Sequence, residues 1–184
     1  MITVKLDTSG ITQAIKLLAH IPGAYDRAAN RALKRAMEAM KAETVRSGTA
    51  KYHIKAGEVR KTLTITPGSR GSMRLVSRGE RKSLADYYMT PKRPGKHNKG
   101  IKAAVKRTGI KSLRGAFLVN IRGRYLPFVR VGRGKWDIRH LSSVAVPQIA
   151  GNEEVSQQVT DRGAEVFSER LNHEVMRELG VYSH

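Results

Sequence analysis

The chain lacks cysteine altogether and has few aromatic residues. Of its 184 residues none is Cys, and 5% are Phe, Trp or Tyr. The absence of Cys excludes disulfides, cysteine nucleophiles and thiolate metal sites. The small number of aromatic residues argues against an extended platform on which nucleic-acid bases could stack.

Long apolar runs are also missing, as is the pattern of a secretory signal. The first ten residues, MITVKLDTSG, show no basic region followed by an apolar stretch. Every uninterrupted apolar run is far shorter than the roughly 20 residues that span a bilayer. We therefore expect a soluble protein, made in the cytoplasm, with no membrane partner.

Carboxylates are scarce relative to cations. The chain has 15 Asp plus Glu against 35 Lys plus Arg, which gives a formal net charge of +20. Such an excess predicts either an anionic partner or an assembly whose neighbours supply counter-charge, and it says nothing about the fold. The length suits one domain, with a core large enough to fold without a metal or a disulfide.

The charge is spread unevenly along the chain. Residues 1–90 carry 17 basic and 7 acidic side chains, a net charge of +10. Residues 91–150 carry 15 basic and 1 acidic side chains, a net charge of +14. Residues 151–184 carry 3 basic and 7 acidic side chains, a net charge of −4. The basic excess therefore peaks in the middle of the chain, and this asymmetry marks a candidate interaction surface.

Helical patterns dominate the N-terminal part. After a strand-like start at 2–6, residues 10–20 have the apolar spacing of an amphipathic helix. A second, alanine-rich helix is predicted over about 23–46, and Ser47-Gly48 is expected to end it. The alanines permit close approach of a neighbouring helix or sheet.

The middle of the chain has the alternation of antiparallel strands. Strand patterns occur at 62–66, 73–77, 101–106, 115–121 and 125–131. Residues 67–71 predict a hairpin loop between the first two, and Arg122-Gly123-Arg124 predicts a tight turn between the last two. Between the second and third strand patterns, TPKRPGKHNKG at 90–100 contains two Pro, two Gly and four Lys or Arg residues, with little to bury. We expect a long, flexible basic loop over about 89–113.

The C-terminal part predicts one long helix over about 153–179. Glu153 and Glu154 occupy its first turn, where the helix dipole favours negative charge, and Gly180 ends it. The order is a short helix, a long helix, central antiparallel strands and a long C-terminal helix. This order predicts an α+β fold and not alternating βαβ units.

Residue patterns that support catalysis or metal binding are missing. Between residues 91 and 150 the one carboxylate is Asp137, whereas general acid–base and two-metal sites need converging carboxylates. The six histidines are scattered, and neither a GxSxG nor a GxxxxGK[ST] motif occurs. We therefore predict no enzyme, no cofactor and no metal site, and substitution of Asp137 is expected to change nothing catalytic.

Nucleic-acid binding has more support from the residues. A dense group of basic side chains could neutralise several phosphates. No helix-turn-helix, RNA-recognition or zinc-finger pattern occurs, so any contact would be to the backbone, without sequence readout. The candidate contacts, to DNA in a lumen or to a docking partner, are Lys92, Arg93, Lys96, Lys99, Lys102, Lys106, Arg107 and Lys111.

Two stretches resemble a known family. Residues 114–132 read RGAFLVNIRGRYLPFVRVG, and residues 138–149 read IRHLSSVAVPQI. With the upstream segments PGAYDRAANRALKRA and IKAGEVRKTLTI, in this order, they resemble the phage minor tail protein Z family, the tail-completion proteins of long-tailed phages. The resemblance covers most of the chain, although the 89–113 loop departs from it.

The resemblance implies a structural virion protein. Family members act at the head-proximal end of the tail, where it meets the neck or head connector, so the expected localisation is the virion, after assembly in the host cytoplasm. The resemblance further implies a single tail-completion-like domain over residues 1–184 and a homo-oligomeric ring around the DNA channel. The implied partners are the tail terminator, the connector and the tail tube, and Arg130 and Arg139 are the candidate subunit contacts.

Two uses of the basic residues stay open. A basic strip on one subunit could meet the acidic C-terminal helix of another, or the loop could face the lumen and touch passing DNA. The alternative function is a free, non-sequence-specific nucleic-acid-binding protein. A salt titration of DNA binding tests that alternative, because phosphate contacts weaken steeply with salt.

Overall fold

The computed structural model describes residues 8–68, 72–95 and 100–180. Helices lie at both ends of the chain and antiparallel strands lie between them, so the predicted α+β class is confirmed. The strand predicted at 2–6 lies outside the described residues. Within them, the strands are divided over four small sheets instead of one.

The elements follow one another in a simple order. The helices are α1 (Thr8–Leu18), α2 (Ala24–Lys51), α3 (Ala56–Thr62), α4 (Val146–Ala150) and α5 (Glu153–Glu178), with a short 3-10 helix at Leu84–Asp86. The strands are β1 (Leu63–Pro67), β2 (Met73–Ser77), β3 (Arg81–Ser83), β4 (Tyr88–Thr90), β5 (Ile101–Ala104), β6 (Lys111–Leu113), β7 (Ala116–Ile121), β8 (Arg124–Arg130), β9 (Ile138–His140) and β10 (Ser142–Ala145).

The chain divides into two compact units, which differ in architecture. The first, called the helical unit, consists of residues 1–45, 63–77 and 151–184, and therefore holds α1, most of α2, the β1–β2 hairpin and α5. The second, called the basic unit, consists of residues 46–62 and 78–150 and holds the remaining strands with α3 and α4.

The core of the helical unit is built on an alanine stripe. Four alanines of α2, spaced four residues apart, are at most 3% exposed: Ala24, Ala28, Ala32 and Ala36. They belong to one buried cluster with Leu18 of α1 and with Phe167 and Leu171 of α5. The stripe is thus buried against residues of α1 and α5, where the small alanine side chains permit close packing.

Helix α5 packs against α2 at Gly163 and Met40. A Cβ built on Gly163 of α5 would lie 2.7 Å from both Cγ and Sδ of Met40, which is 2% exposed. Real Cβ atoms do not approach other atoms so closely. Glycine is therefore required at 163 by packing, in a helix interior where it otherwise costs about 1 kcal/mol relative to alanine.

Helix α2 extends beyond its predicted end, so the expected stop at Ser47-Gly48 is wrong. Both residues are buried inside the helix, which continues to Lys51, and the Tyr52 N–H donates to the Gly48 carbonyl at 3.0 Å. A Cβ on Gly48 would meet the Ile149 side chain at an ordinary 3.5 Å. Burial in the basic unit thus outweighs the weak helix propensity of Ser and Gly.

The predicted hairpins are confirmed. Strands β1 and β2 pair antiparallel, with Ile65 opposite the buried Leu75. Strands β7 and β8 pair from Ala116 to Ile121, and the turn residues Arg122 and Gly123 have φ of 52° and 81°. Positive φ at both central residues is the geometry that matches the right-handed twist of a two-residue hairpin.

Part of the window predicted as a long loop, 89–113, forms a sheet. Strand β5 pairs with β4 on one side and β6 on the other. Ile101, Ala103 and Ala104 are at most 5% exposed, so β5 carries buried residues despite the charge around it. The described residues of the window outside strands are 91–95, 100 and 105–110, and the flexibility of this segment stays a prediction.

The C-terminal helix is confirmed at α5, which starts with Glu153 and Glu154 in its first turn. Gly180 has a φ of +78° and ends it, because a residue with a side chain rarely adopts this conformation. Across the described residues, no helix has the length and apolarity needed to cross a membrane.

Candidate functional site

The candidate contacts predicted in the basic window lie on several parts of the basic unit. Lys96 and Lys99 fall outside the described residues. Lys92 and Arg93 are exposed in the bend that follows β4. The other four are also exposed and belong to β5, β6 or the segment between them: Lys102, Lys106, Arg107 and Lys111.

The β4–β5–β6 sheet separates two of these lysines. Lys102 lies opposite Thr90 and Ser112, and all three are exposed. Lys111 lies opposite Ala103, one residue along β5 from Lys102. Because directly opposed residues share a face and successive residues alternate, Lys102 and Lys111 belong to opposite faces of the sheet.

Arg107 has a structural role at the end of α2. Its backbone N–H donates to the Lys51 carbonyl at 2.9 Å, and its Nε donates to the Thr49 carbonyl at 3.0 Å. Lys106 forms an isolated antiparallel bridge with Tyr52. The last carbonyls of a helix lack partners within the helix, so this arginine caps α2.

The two candidate subunit contacts also lie on opposite sheet faces. Arg130 ends β8 opposite Ile138, whereas Arg139 of β9 lies opposite Val129. Both arginines are exposed. Arg130 donates from Nη1 to the Gly134 carbonyl at 2.8 Å, so one of its N–H groups is used within its own hairpin.

The connection between β8 and β9, called here the Trp136 loop (residues 131–137), was not identified from the sequence. Trp136 is 79% exposed and Val131 is 58% exposed. The Lys135 Nζ lies 5.3 Å from the centroid of the Trp136 ring. A lone tryptophan beside glycine and basic residues was the available signal, and the general scarcity of aromatic residues obscured it.

Asp137 organises this loop. Its Oδ2 accepts the Gly134 N–H at 2.8 Å, and its carbonyl accepts the Val131 N–H at 2.8 Å. A Cβ on Gly134 would lie 2.8 Å from the same Oδ2, and a Cβ on Gly132 would overlap it. The Gly132–Gly134 pair therefore serves to fit the loop around a carboxylate.

A serine–histidine contact is the second feature that the sequence did not reveal. The Ser83 Oγ lies 2.9 Å from the His140 Nε2, and this oxygen also accepts the Ala85 N–H at 3.2 Å. A serine hydroxyl beside an imidazole is the first half of a nucleophile–base pair. The other described contact of His140 is the Phe128 ring, with 5.3 Å between ring centroids, and not an orienting carboxylate.

The helical unit uses two of its glutamates internally. Glu178 accepts from the Arg27 Nη2 at 2.7 Å and from the Arg31 Nη1 at 2.7 Å, and Arg31 also reaches Glu174 at 3.3 Å. The hydrogen bond from Arg27 holds the pKa of Glu178 below its usual value, with a further contribution from Arg31. The acidic end of α5 is therefore partly neutralised within its own chain.

Nearly all of the net positive charge lies in one of the two units. The basic unit has 23 Lys plus Arg and 4 Asp plus Glu, a net charge of +19, and the helical unit has 12 and 11, a net charge of +1. Of the four carboxylates, Glu58 bonds to Lys82 at 2.6 Å and to Lys61 at 3.2 Å, and Asp86 bonds to Arg124. Lys82, followed by Lys61, holds the pKa of Glu58 below its usual value. Four carboxylates leave most of these cations to be neutralised from outside the unit.

A metal site needs several ligating side chains that converge on one point. In the ranges 8–68, 72–95 and 100–180, no group of three or more His, Asp or Glu side chains is placed to hold a metal ion.

Comparison with known protein families gives a match. The model of a family described as prophage minor tail protein Z (GPZ) matches residues 8–184. No curated protein and no solved structure matches the chain. The matched range includes both units and nearly the whole chain.

Proposed function

Because the chain belongs to the prophage minor tail protein Z family, we propose that it completes the head-proximal end of a phage tail and joins it to the neck or connector. Membership makes it a structural protein of the phage tail and therefore a component of the virion. The observation that supports the finer role is the family match, which extends over residues 8–184.

In this proposal the subunits form a homo-oligomeric ring between the tail tube or tail terminator and the connector. Arg139 is the stronger of the two candidate subunit contacts, because the Arg130 guanidinium already donates to Gly134. Charge on the rim of an interface mainly sets orientation and rate of encounter.

DNA is a second anionic partner in this proposal. Lys102 and Lys111, on opposite sheet faces, cannot both be used by one flat partner, so one face can meet a neighbouring protein while the other faces the channel. The alternative is a free nucleic-acid-binding protein, and the one observation that favours it is the +19 charge of the basic unit. Tight duplex binding that falls steeply between low and physiological salt would support the alternative, and no binding even at low salt would remove it.

We further propose that the protein has no enzymatic activity and no cofactor. Ser83 and His140 connect β3 to β9, and the Asp137 carboxylate is bonded within its own loop. Hydrolase and nuclease assays with divalent metal ions are expected to give no activity above that of a Ser83→Ala variant.

The experiment that tests tail completion is deletion of the gene from an inducible prophage. Electron microscopy is expected to show full heads separated from tails, and purified protein added to such a lysate is expected to restore joined particles. Virions that form normally without the protein would refute the proposed role.

We also propose that the two units unfold together as one domain. Helix α2 contributes residues 24–45 to the helical unit and residues 46–51 to the basic unit, so melting either part disrupts a shared helix. Calorimetry is expected to show one transition whose calorimetric and van't Hoff enthalpies agree. Two separate transitions would contradict a single domain.

A further inference from the structure

The Trp136 loop is the feature of the basic unit that tail completion alone leaves unexplained. It contains the one tryptophan of the chain, and that side chain is 79% exposed. Val131, at the start of the same loop, is 58% exposed. Large apolar side chains grouped on a surface mark a binding site more often than single ones do.

The loop is held in shape by its own hydrogen bonds. The Gly134 carbonyl accepts from the Arg130 Nη1 at 2.8 Å and from the Asp137 N–H at 3.2 Å. The Gly134 N–H in turn donates to Asp137 Oδ2 at 2.8 Å. A loop fixed in this way presents Trp136 with little ordering cost on binding, which is the condition for a tight contact.

The surroundings of Trp136 are cationic. Arg133, Lys135 and Arg139 are exposed within three residues of it along the chain, and the nearest carboxylate, Asp137, is bonded inside the loop. An apolar centre with a charged rim is the anatomy of a protein–protein contact, and Trp and Arg are the residues most enriched among its energetic centres.

We propose that the Trp136 loop docks into an apolar cleft rimmed by carboxylates on a neighbouring tail or neck protein. The inference rests on the proposed function for the origin of that partner. Duplex DNA fits the loop less well, because its bases are already stacked and a single aromatic ring offers no platform for successive bases. A second copy of the chain also fits less well, because Glu174 and Glu178 of its acidic helix already bond to Arg31.

The lone tryptophan allows a direct test. The full-length protein is labelled with 5-fluorotryptophan, so that the fluorine NMR signal reports on Trp136 alone. The probes are tails purified from the phage that lacks the gene, a DNA duplex, and the protein itself at increasing concentration. We expect the signal to shift and broaden, and the ring to become protected from acrylamide quenching, with the tails alone.

Charge-matched variants separate the loop from the general basic charge. Arg133→Glu/Lys135→Glu and Trp136→Ala are each expected to weaken tail binding by at least about tenfold. Lys92→Glu/Arg93→Glu changes the charge equally, at another site of the basic unit, and is expected to have a smaller effect. Because Trp136 is exposed, unchanged circular dichroism and melting temperature are expected for Trp136→Ala.

Asp137 gives a positioning control. Asp137→Ala removes the acceptor for the Gly134 N–H and is expected to weaken tail binding although Trp136 is kept, whereas Asp137→Asn keeps an acceptor oxygen and is expected to restore binding. Equal tail binding by the wild type, Asp137→Ala and Asp137→Asn would contradict the role of loop shape.

The outcomes are distinguishable. Binding of tails with Trp136 still quenchable would overturn the docking proposal and leave tail completion intact. A fluorine shift with DNA or with the protein alone, and not with tails, would also overturn it. Failure to bind the tails at all would count against the proposed function itself.

Discussion

The helical unit and the basic unit are similar in size but differ in how they use charge. In the helical unit 12 cations face 11 carboxylates, and Arg27 and Arg31 bond to glutamates of α5. In the basic unit 23 cations face 4 carboxylates. Nearly all of the net charge of +20 therefore lies in the basic unit.

From this contrast we propose that folding and binding depend on different parts of the chain. The helical unit has an alanine-lined core and internal ion pairs, which hold a fold together. The basic unit has short strands, glycine-rich turns and an exposed tryptophan, which present side chains outward.

The first prediction compares charge reversals in the two units. Lys102→Glu, Lys111→Glu, Arg133→Glu and Lys135→Glu together are expected to reduce the joining of heads and tails by at least about tenfold, because like charges across an interface repel strongly. The measurement is the yield of joined particles when purified variant is added to a lysate that lacks the protein.

The control makes the same number of reversals at exposed positions of the helical unit: Lys16→Glu, Lys34→Glu, Arg35→Glu and Arg74→Glu. Its yield is expected to stay near that of the wild type. An equal loss from both sets would mean that overall charge matters and that the division between units is wrong.

The second prediction concerns the core of the helical unit. Gly163→Ala forces a methyl group against the buried Met40 side chain and is expected to destabilise the protein by about 1–3 kcal/mol in chemical denaturation. Gly48→Ala is the matched control, since it is also a buried glycine inside a helix but has ordinary room at Ile149. Gly48→Ala is expected to raise the free energy of unfolding by up to about 1 kcal/mol. The same sign for both substitutions would contradict the packing argument.

The third prediction uses the pH dependence of the ion pairs. The pKa of Glu178 is lowered in the folded protein, first by the hydrogen bond from Arg27. Its contribution to stability is therefore present at neutral pH and is lost as the pH falls below the ordinary value of 4.5. Glu178→Gln is expected to lower the melting temperature at neutral pH and to make little difference in acid.

Glu169→Gln, at an exposed position of the same helix, is the control for this prediction and is expected to change the melting temperature little at any pH. A Glu178→Gln effect that persisted unchanged in acid would show that the pairing with Arg27 and Arg31 is not its source.

The fourth and smallest effect lies in the basic unit. Burial, followed by the charge of Asp86, raises the pKa of Tyr87 to about 12, and the hydroxyl donates to the Val144 carbonyl at 2.7 Å. Since the unfolded value is 10.0, this tyrosine contributes stability below pH 10 that is lost as the pH rises toward 12.

Tyr87→Phe is expected to cost about 1 kcal/mol at neutral pH and to flatten the alkaline loss of stability. Denaturation curves across this range measure both effects. Tyr88→Phe, at a side chain that is 40% exposed, is the control. If Tyr87→Phe loses stability as steeply as the wild type at alkaline pH, the loss comes from other titrating groups.

The sequence predicted what depends on local patterns. The alanine spacing in α2, the Arg122-Gly123 turn and the end of α5 at Gly180 were predicted because each is determined by neighbours in the chain. The continuation of α2 past Gly48 was not predicted, because Ser47 and Gly48 are buried there and Gly48 lies beside Ile149, which is distant in sequence. Strands β3 and β6, three residues each, were too short to give a period.

The candidate site was predicted less well than the fold. The basic window was found, but its lysines proved to lie on both faces of a sheet, and Arg107 proved to cap a helix. The concentration of charge in one unit could not be predicted without the fold, because the basic unit is discontinuous in sequence. The Trp136 loop could be identified only from the solvent exposure of the Trp136 side chain, which a sequence pattern does not give.

Hydrogen exchange of the protein, free and bound to tails that lack it, tests the division between the units most directly. We expect added protection to concentrate in residues 78–150, above all in the Trp136 loop and β9, and α1 and α5 to exchange as they do in the free protein. Protection confined to α1 and α5, with the basic unit unchanged, would contradict this division.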